Sequence, residues 1–352
     1  DIETDGGVGG VACGVAVVGR LRACQVSNRV GERDRGAFRV GGGREDVRAA
    51  FSSYSLPAET GGYYQPLTLL SLALDARLAT DHSTTPFQFH LTNLTIHLAN
   101  VLLVFFLLRQ FGATLWFCAL GSLLFGLHPI QTASVAWVSQ RGTLLGGFFA
   151  ITAVTCHARI VRGGSLWWCT PATLLYAAAI LCHPLLLPLP IVMLLLDVWP
   201  GRRSGWAPII EKAPLLAVFL IGASLQIMVH SRRPSLISSE LGSFEVIGGS
   251  LVSFVTRIAW PPAVSVFYPA DRTIVSSMNL AAIVAVAAGL IVVGAWSFRR
   301  SRAVFTALCG AVVLTCPALL DAAYADSLLG DKYLYLILLV TLITLAVHIQ
   351  AM

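Results

Sequence analysis

The stretch LTIHLANVLLVFFLL at Leu94–Leu108 decides the fold class, because it is apolar almost throughout and contains no Asp, Glu, Lys or Arg. With its uncharged flanks it approaches the roughly 20 apolar residues that a transmembrane helix needs. Six further runs are predominantly apolar: Leu115–Leu127, Leu144–Ile160, Leu215–Val229, Leu280–Trp296, Val304–Leu320 and Leu334–Val347. Together with a proline-broken stretch and weaker segments, they predict an all-α, polytopic membrane helix bundle of about nine or ten spans.

The composition points the same way. Charged residues make up 12% of the 352 positions and hydrophobic residues 56%, and the mean hydropathy is +0.75. A soluble domain has about 25% charged residues, so there is no room for a conventional soluble enzyme core. The net charge of +6 is not gathered into a basic stripe, which excludes nucleic acid as an expected partner. The eight cysteines form no CxxC pair and predict neither a disulfide framework nor a zinc site.

The stretch Thr173–Trp199 is too long for one straight span, and it contains His183-Pro184, Pro188 and Pro190. Proline removes a backbone donor and kinks a helix. We therefore predict two short helices that meet at His183-Pro184, or one broken helix. Irregular backbone at membrane depth is tolerated only where protein or a water-filled cavity surrounds it, so a wet cavity beside the break is a hypothesis.

The chain divides into a poorly defined N-terminal segment, residues 1–46, and a multi-span transmembrane domain, residues 94–352, with a loop region between them. The N-terminal segment is rich in Gly and Arg, and its short apolar run Val8–Val18 is a weak first span, a signal-like segment or sequence outside the fold. Because the chain begins at Asp1 rather than at Met, it fits a fragment of a longer protein.

Residues 47–93 are predicted to form an external loop with interfacial amphipathic helices. Leu67–Leu78 has helical apolar spacing, with Asp75 and Arg77 at its edge. A second segment, Leu251–Phe267, is read in the same way. If it were a tenth span instead, the topology after it would be inverted.

Basic residues follow or link the predicted spans on one side of the membrane. They are Arg109, Arg159, Arg162, Arg202, Arg203, Lys212, Arg299, Arg300 and Arg302. The positive-inside rule assigns this side to the cytoplasm. The segments His128–Arg141, Ser231–Ser277 and Asp326–Lys332 then lie outside, with a mild exception at Arg232 and Arg233.

Polar residues at membrane or interface depth are functional candidates because they are costly to place there. On the predicted external face they are His90, His97, His128, Arg141, Asp331 and Lys332. Arg141 is the best single candidate, since a fixed arginine suits bidentate phosphate binding. The alternatives are helix capping for the histidines and a snorkelling lysine beside a helix-start carboxylate for Asp331-Lys332. The sequon Asn93-Leu94-Thr95 lies at the mouth of a span and is expected to stay unmodified.

Several short motifs occur in order from about Val47 to the C-terminus. They are Tyr64–Ser71 (YQPLTLLS), Phe89–Asn93 (FHLTN), His128-Pro129 with Ser134–Val138 (SVAWV) and Arg141, Leu196–Pro200 (LDVWP), Trp260-Pro261 with Val266–Pro269 (VFYP), and Asp331–Leu336 (DKYLYL). Together they resemble the membrane region of the tetratricopeptide-repeat-containing O-mannosyltransferases and their bacterial relatives.

This resemblance implies a GT-C glycosyltransferase fold. Such an enzyme takes a sugar, here mannose-like, from a polyprenyl-phosphate carrier and passes it to a protein or lipid-linked acceptor, with a carboxylate in the first external loop as general base. Asp34 and Asp46 are weak candidates for that base. The implied substrate-binding residues are Arg141 and Lys332 at the phosphate, His183 near the cavity, and His90, His128 and Asp331. No cofactor and no metal ligand are predicted, and the metal requirement stays open.

The chain departs from the family pattern where charge is needed. The family often has Arg where Gln65 stands, and His and Glu where Gln131 and Ala133 stand. It often has an acid near Thr143 and Lys where His183 stands. No adjacent acidic pair follows a clear first span, and no tetratricopeptide repeats occur before Met352. Each change removes or weakens a charge that the implied chemistry would use.

Two alternatives stay open beside the glycosyltransferase. One is a non-catalytic scaffold of the same family, favoured by the lost charges. The other is a transporter, suggested by the broken stretch Thr173–Trp199, since broken helices near the midplane are common in transporters. The expected partners are membrane lipid, a lipid-linked sugar donor and an acceptor. Composition favours a bacterial inner membrane, with the endoplasmic reticulum membrane as the alternative.

Overall fold

The computed structural model describes residues 50–51, 63–78, 87–199, 203, 205–230, 248–252, 268–269, 280–324, 327–328 and 334–338. The α-helices are α1 Pro66–Leu78, α2 Phe87–Gln110, α3 Leu115–Leu127, α4 Thr132–Ala136, α5 Arg141–Val161, α6 Cys169–Cys182, α7 Leu189–Val198, α8 Ala207–Ile210, α9 Ala213–His230, α10 Leu280–Arg300 and α11 Arg302–Tyr324. Short 3-10 turns lie at Pro129–Gln131, Val138–Gln140, Leu166–Trp168 and Pro184–Leu186. Two two-residue strands, β1 Tyr268–Pro269 and β2 Ser327–Leu328, pair antiparallel.

The predicted all-α class is therefore confirmed, and each predicted apolar run coincides with a helix or begins in one. In the described part of the chain, two helical stretches are long and apolar enough to cross a membrane, Phe87–Gln110 and Val138–Val161. A third span is counted if α3 and the segment Pro129–Ala136, which meet at a bend of 48°, are taken together as one broken span. Shorter apolar helices accompany them. The expected nine or ten spans are not confirmed by this set.

Helix α2 shows why lipid is the solvent of this bundle. Its exposed stripe is apolar and includes Leu98, Leu102 and Phe106 at four-residue spacing. Its buried face carries the polar residues Asn93 and Asn100. A surface helix of a water-soluble protein has the opposite arrangement. The polar face pointing into the bundle and the apolar face pointing outward identify a membrane protein.

The break predicted at His183-Pro184 is confirmed. Helix α6 ends at Cys182, His183 adopts an extended backbone (φ −148°, ψ 99°), and Pro184 starts a 3-10 turn that leads into α7. A residue before proline is pushed out of the helical region by the proline ring, which accounts for the end of α6. Among the described residues, the groove beside the break is lined mainly by apolar side chains such as Ile180, Leu187 and Val218, and this lining does not support the hypothesis of a wet cavity there.

Helix α1 corrects one prediction. It forms where expected, but Asp75 is not at a solvent-facing edge: it is only 3% exposed and lies on the buried face with Thr68 and Leu72. Thr68 Oγ1 donates to the Cys182 carbonyl at 2.8 Å, which ties α1 to the end of α6. Arg77 is exposed, as predicted. The second amphipathic segment is described only at 251–252, so most of it lies outside the described residues.

Helix α5 is the centre of the bundle and packs against α2 and α6. Glycine allows the close contact at its start. A Cβ on Gly142 would lie 2.8 Å from the Cys182 carbonyl oxygen and 3.1 Å from Thr68 Oγ1. Small residues at such contacts let helix backbones approach in membranes.

Gly142→Ala is therefore expected to lower the free energy of unfolding by about 1–3 kcal/mol, the usual cost of overpacking a rigid contact. The matched control is Gly289→Ala in α10, where an added Cβ meets nothing within 4 Å. Alanine there is expected to be neutral or stabilising by up to about 1 kcal/mol. Unfolding midpoints of the two purified variants in the same detergent check the contrast, and equal effects would contradict the packing argument.

Candidate functional site

Arg141 and Asp75 form a buried ion pair at the end of the bundle where α2 and α5 begin and where α1 packs against them. Arg141 Nη2 lies 2.6 Å from Asp75 Oδ2, and the two side chains are 0% and 4% exposed. Thr92 Oγ1 donates to the other carboxylate oxygen, Oδ1, at 2.9 Å. Both oxygens of Asp75 are thus engaged, which a buried carboxylate requires.

Asn93 completes this arrangement. Arg141 Nε donates to Asn93 Oδ1, and Arg141 Nη2 also donates to the Phe89 carbonyl at 3.0 Å. The Asn93 amide nitrogen in turn donates to the carbonyls of Val135 and Trp137, at 3.2 and 3.3 Å. We call Asp75, Phe89, Asn93 and Arg141 the Arg141 cluster. Asn93 is 0% exposed, which agrees with the expectation that its sequon stays unmodified.

The segment between the two spans carries further buried polar atoms. Gln131 is 2% and Ser134 0% exposed. Within the described part of the chain, the amide nitrogen and oxygen of Gln131, the hydroxyl of Ser134 and Nη1 of Arg141 have no hydrogen-bond partner. Buried polar atoms are usually satisfied by protein, water or ligand. These three side chains could therefore bind a further polar group.

A second polar contact connects the C-terminal motif to the same spans. Asn100 Nδ2 donates to the Tyr335 hydroxyl at 2.9 Å, and His97 Nδ1 lies 3.0 Å from that oxygen. His97 Nε2 lies 3.1 Å from the Gly126 carbonyl. If Nε2 carries the proton and donates to that carbonyl, Nδ1 accepts from Tyr335 and every contact is satisfied. Tyr335 of the DKYLYL motif thereby contacts α2 through His97 and Asn100.

The structure brings only some of the sequence-predicted residues together. Arg141 is in the cluster, but its guanidinium is buried against a carboxylate and is not turned outward. His128 is half-buried and caps the turn that follows it, accepting from the Ile130 amide at 3.3 Å, which fits the capping alternative. His90 is half-buried on α2 and His183 half-buried at the helix break. Asp34, Asp46, Asp331 and Lys332 lie outside the described residues.

Sequence reasoning missed a cluster of charges at the opposite end of the bundle. Asp197 Oδ1 lies 3.0 Å from Arg203 Nη1, and Lys212 Nζ donates to Oδ2. Arg203 Nη2 donates to Glu211 Oε1 at 2.5 Å, and His157 Nε2 lies 3.4 Å from Asp197 Oδ2. Hydrogen bonding to Glu211 raises the pKa of Arg203. We call these five residues the Asp197 cluster.

A signal for this cluster was present in the sequence. Lys212 is one of only two lysines, and Asp197 stands at the end of an apolar run. Both are nearly fully buried, at 1% exposure each. A charged residue that ends an apolar helix needs a counter-ion, and Lys212, fifteen residues further on, is near enough in the chain to supply it. Reading Lys212 only as a positive-inside residue overlooked this pairing.

Among the described residues, no group of three or more His, Cys, Asp or Glu side chains is arranged to hold a metal ion.

Comparison with known proteins gives the family of the matched motifs. The chain is 29% identical over 177 residues to "Protein O-mannosyl-transferase Tmtc2" of Drosophila melanogaster, which covers 49% of this chain and 18% of that protein. It is 34% identical over 118 residues to Tmtc3 of the same species, and 34% identical over 124 residues to human TMTC3. Over part of its length, the chain is similar to the TMTC protein O-mannosyl-transferases.

The chain spans only a small part of these TMTC proteins, 18%, 12% and 13% of the three lengths. No family model and no solved structure matches it. The three relatives are animal proteins, so the comparison does not support the bacterial inner membrane that composition favoured. It supports the resemblance that the motifs indicated.

Proposed function

We propose that this chain is a GT-C-type membrane glycosyltransferase of the endoplasmic reticulum. In this proposal it transfers a mannose-like sugar from a polyprenyl-phosphate carrier to a protein or lipid-linked acceptor. The observation that carries the proposal is the convergence of the family motifs. Motifs far apart in sequence make direct contacts through Arg141 with Asn93, and through Asn93 with Val135 and Trp137.

The contacts give Arg141 a defined part in this proposal. Its pairing with Asp75 holds α1 against α5, so it acts first as a positioning residue. Its Nη1 group is a donor without a partner among the described residues, and Arg141 directly follows the segment that carries Gln131 and Ser134. In this proposal Lys332, which the family resemblance assigns to the phosphate, supplies the second cation.

The reaction proposed is a direct displacement. The acceptor hydroxyl oxygen forms a bond to the sugar anomeric carbon, the bond from that carbon to the carrier phosphate oxygen breaks, and the polyprenyl phosphate leaves. The hydroxyl proton passes to a general base. Asp34 and Asp46 remain the candidates for that base. Cations near the leaving phosphate would stabilise the charge that develops there.

A second candidate function is a non-catalytic scaffold of the same family, and one observation favours it. The charge of Arg141 is already neutralised by Asp75 at 2.6 Å, and the family histidine and acids are replaced by Gln131, Ala133 and Thr143. A guanidinium with an internal counter-ion has less charge to offer a phosphate.

The experiment supplies the purified chain in lipid nanodiscs with radiolabelled polyprenyl-phosphate mannose and hydroxyl-bearing acceptor peptides. Label is expected to move to the peptide in wild type and to fall at least tenfold in Lys332→Met, with an unchanged unfolding temperature. Arg77→Gln, at an exposed position of α1, is the control and is expected to keep full activity. If the folded wild-type chain transfers no label, the glycosyltransferase proposal is wrong and the non-catalytic scaffold takes its place.

A further inference from the structure

Two turns between helices lie side by side at the end of the bundle that carries the Asp197 cluster. The first turn follows α2 and the second follows α5. Arg162 Nη1 donates to the Gln110 carbonyl, and Gln110 Nε2 donates to the Thr155 carbonyl at 3.0 Å. Because these bonds join the C-terminal ends of α2 and α5, side chains on the two turns share one surface.

Three exposed arginines mark this surface, and each is held by a local contact. Arg109 Nη1 donates to the Ala113 carbonyl at 2.7 Å. The guanidinium carbon of Arg159 lies 4.1 Å from the centre of the Trp168 ring. Arg162 is held by its bond to Gln110. A guanidinium has five N–H donors, so one bond to a carbonyl leaves most of them for another acceptor.

Exposed tryptophans flank the same turns. Trp116, two residues into α3, is 85% exposed, and Trp167, in the turn before α6, is 66% exposed. Indole rings in membrane proteins concentrate at the level of the lipid headgroups. We define the basic turn surface as Arg109, Arg159, Arg162, Trp116 and Trp167.

The acidic side chains described at this end do not neutralise the surface. Asp197 and Glu211 are both paired, with Lys212 and Arg203. In the described part of this end, the exposed formal charge is therefore positive. Arginines at helix C-termini also interact favourably with the helix dipole, but that interaction does not require the exposed tryptophans beside them.

We propose that the basic turn surface binds the headgroups of anionic phospholipids. The arginines supply charge and hydrogen-bond donors for the phosphodiester and for an acidic headgroup, and the indoles fix the depth of the surface. A basic residue near a membrane surface contributes about a fivefold gain in affinity for anionic lipid. Three of them predict a preference of roughly 100-fold over a zwitterionic lipid at low salt.

The test uses the purified chain in a neutral detergent, titrated with phosphatidylserine or with phosphatidylcholine of the same acyl chains, and counts bound lipids by native mass spectrometry. Wild type is expected to prefer phosphatidylserine, and raising the salt to about 0.5 M should remove most of that preference because exposed charges are screened. The variant Arg109→Gln/Arg159→Gln/Arg162→Gln is expected to bind the two lipids about equally.

Two controls separate charge from structure. The corresponding triple lysine variant keeps the charges but not the arginine geometry, and it is expected to keep at least half of the preference for phosphatidylserine. Arg77→Gln, at the opposite end of the bundle, should bind as wild type does. The proposal is overturned if the folded glutamine variant keeps the preference. If that variant does not fold, a wild-type preference unaffected by salt overturns it instead.

Discussion

Asp75→Asn is expected to lower the free energy of unfolding by about 3–5 kcal/mol, the range found when one partner of a buried ion pair is removed. Arg141 would keep its bonds to Asn93 and to the Phe89 carbonyl but would lose its only described counter-ion. Its side chain is 0% exposed, so water cannot replace the carboxylate without opening the packing of α1 against α5. Denaturant-induced or thermal unfolding in a fixed detergent measures the loss.

A double-mutant cycle shows whether the loss comes from the pair. Asp75→Asn/Arg141→Met removes both charges, and its stability is expected to lie clearly above that of Asp75→Asn alone. The matched control is Arg77→Gln, which removes an exposed charge from the same helix and should change stability by less than about 0.5 kcal/mol. If the double variant were the less stable of the two, the ion pair would not be the cause.

The same cycle separates the structural role of Arg141 from a role in sugar transfer. If Arg141 only positions α1, the double variant recovers activity together with stability. If Arg141 also contacts the donor phosphate, stability recovers while transfer stays at the level of the single variants. The ratio of activity to folded protein in each variant therefore decides between these roles.

The helices were predictable because hydropathy is a local property. The boundaries of α3, Leu115–Leu127, were predicted at both ends, and the break at His183-Pro184 followed from the chemistry of one proline. Both depend on residues that are neighbours in sequence, so tertiary contacts do not need to be known. The fold class followed for the same reason.

The Arg141 cluster was only half predictable. Arg141 was singled out as a charge at the membrane boundary, but its partner Asp75 lies 66 residues earlier on another helix. Amphipathic spacing placed Asp75 at a polar edge, whereas packing of α1 against α5 turned it inward. A charge pair between helices depends on how two elements dock, which one sequence without packing information does not determine.

The Asp197 cluster provides the second large effect. Asp197→Asn is expected to cost about 3–5 kcal/mol of unfolding free energy, because Lys212 would remain buried with only the Pro208 carbonyl, at 3.2 Å, as a described partner. Arg203→Gln should cost less than about 1 kcal/mol, since its side chain is 24% exposed and Asp197 keeps Lys212 and His157 as partners. Lys212→Met should fall between them, because Asp197 keeps Arg203 and His157.

This order is informative because it follows burial and not the number of contacts. Arg203 contacts two carboxylates, Asp197 and Glu211, whereas Lys212 contacts only Asp197 among the described residues, so contact number alone would rank Arg203 above Lys212. Burial ranks it last, because the Arg203 side chain is the most exposed of the three and a partly solvated charge loses less when its partner is removed. Unfolding midpoints of the three variants measured in one detergent give the order directly. If Arg203→Gln lowered the free energy of unfolding as much as Asp197→Asn, the cluster would act as one network. Removing any member would then release the ends of α7 and α9 together.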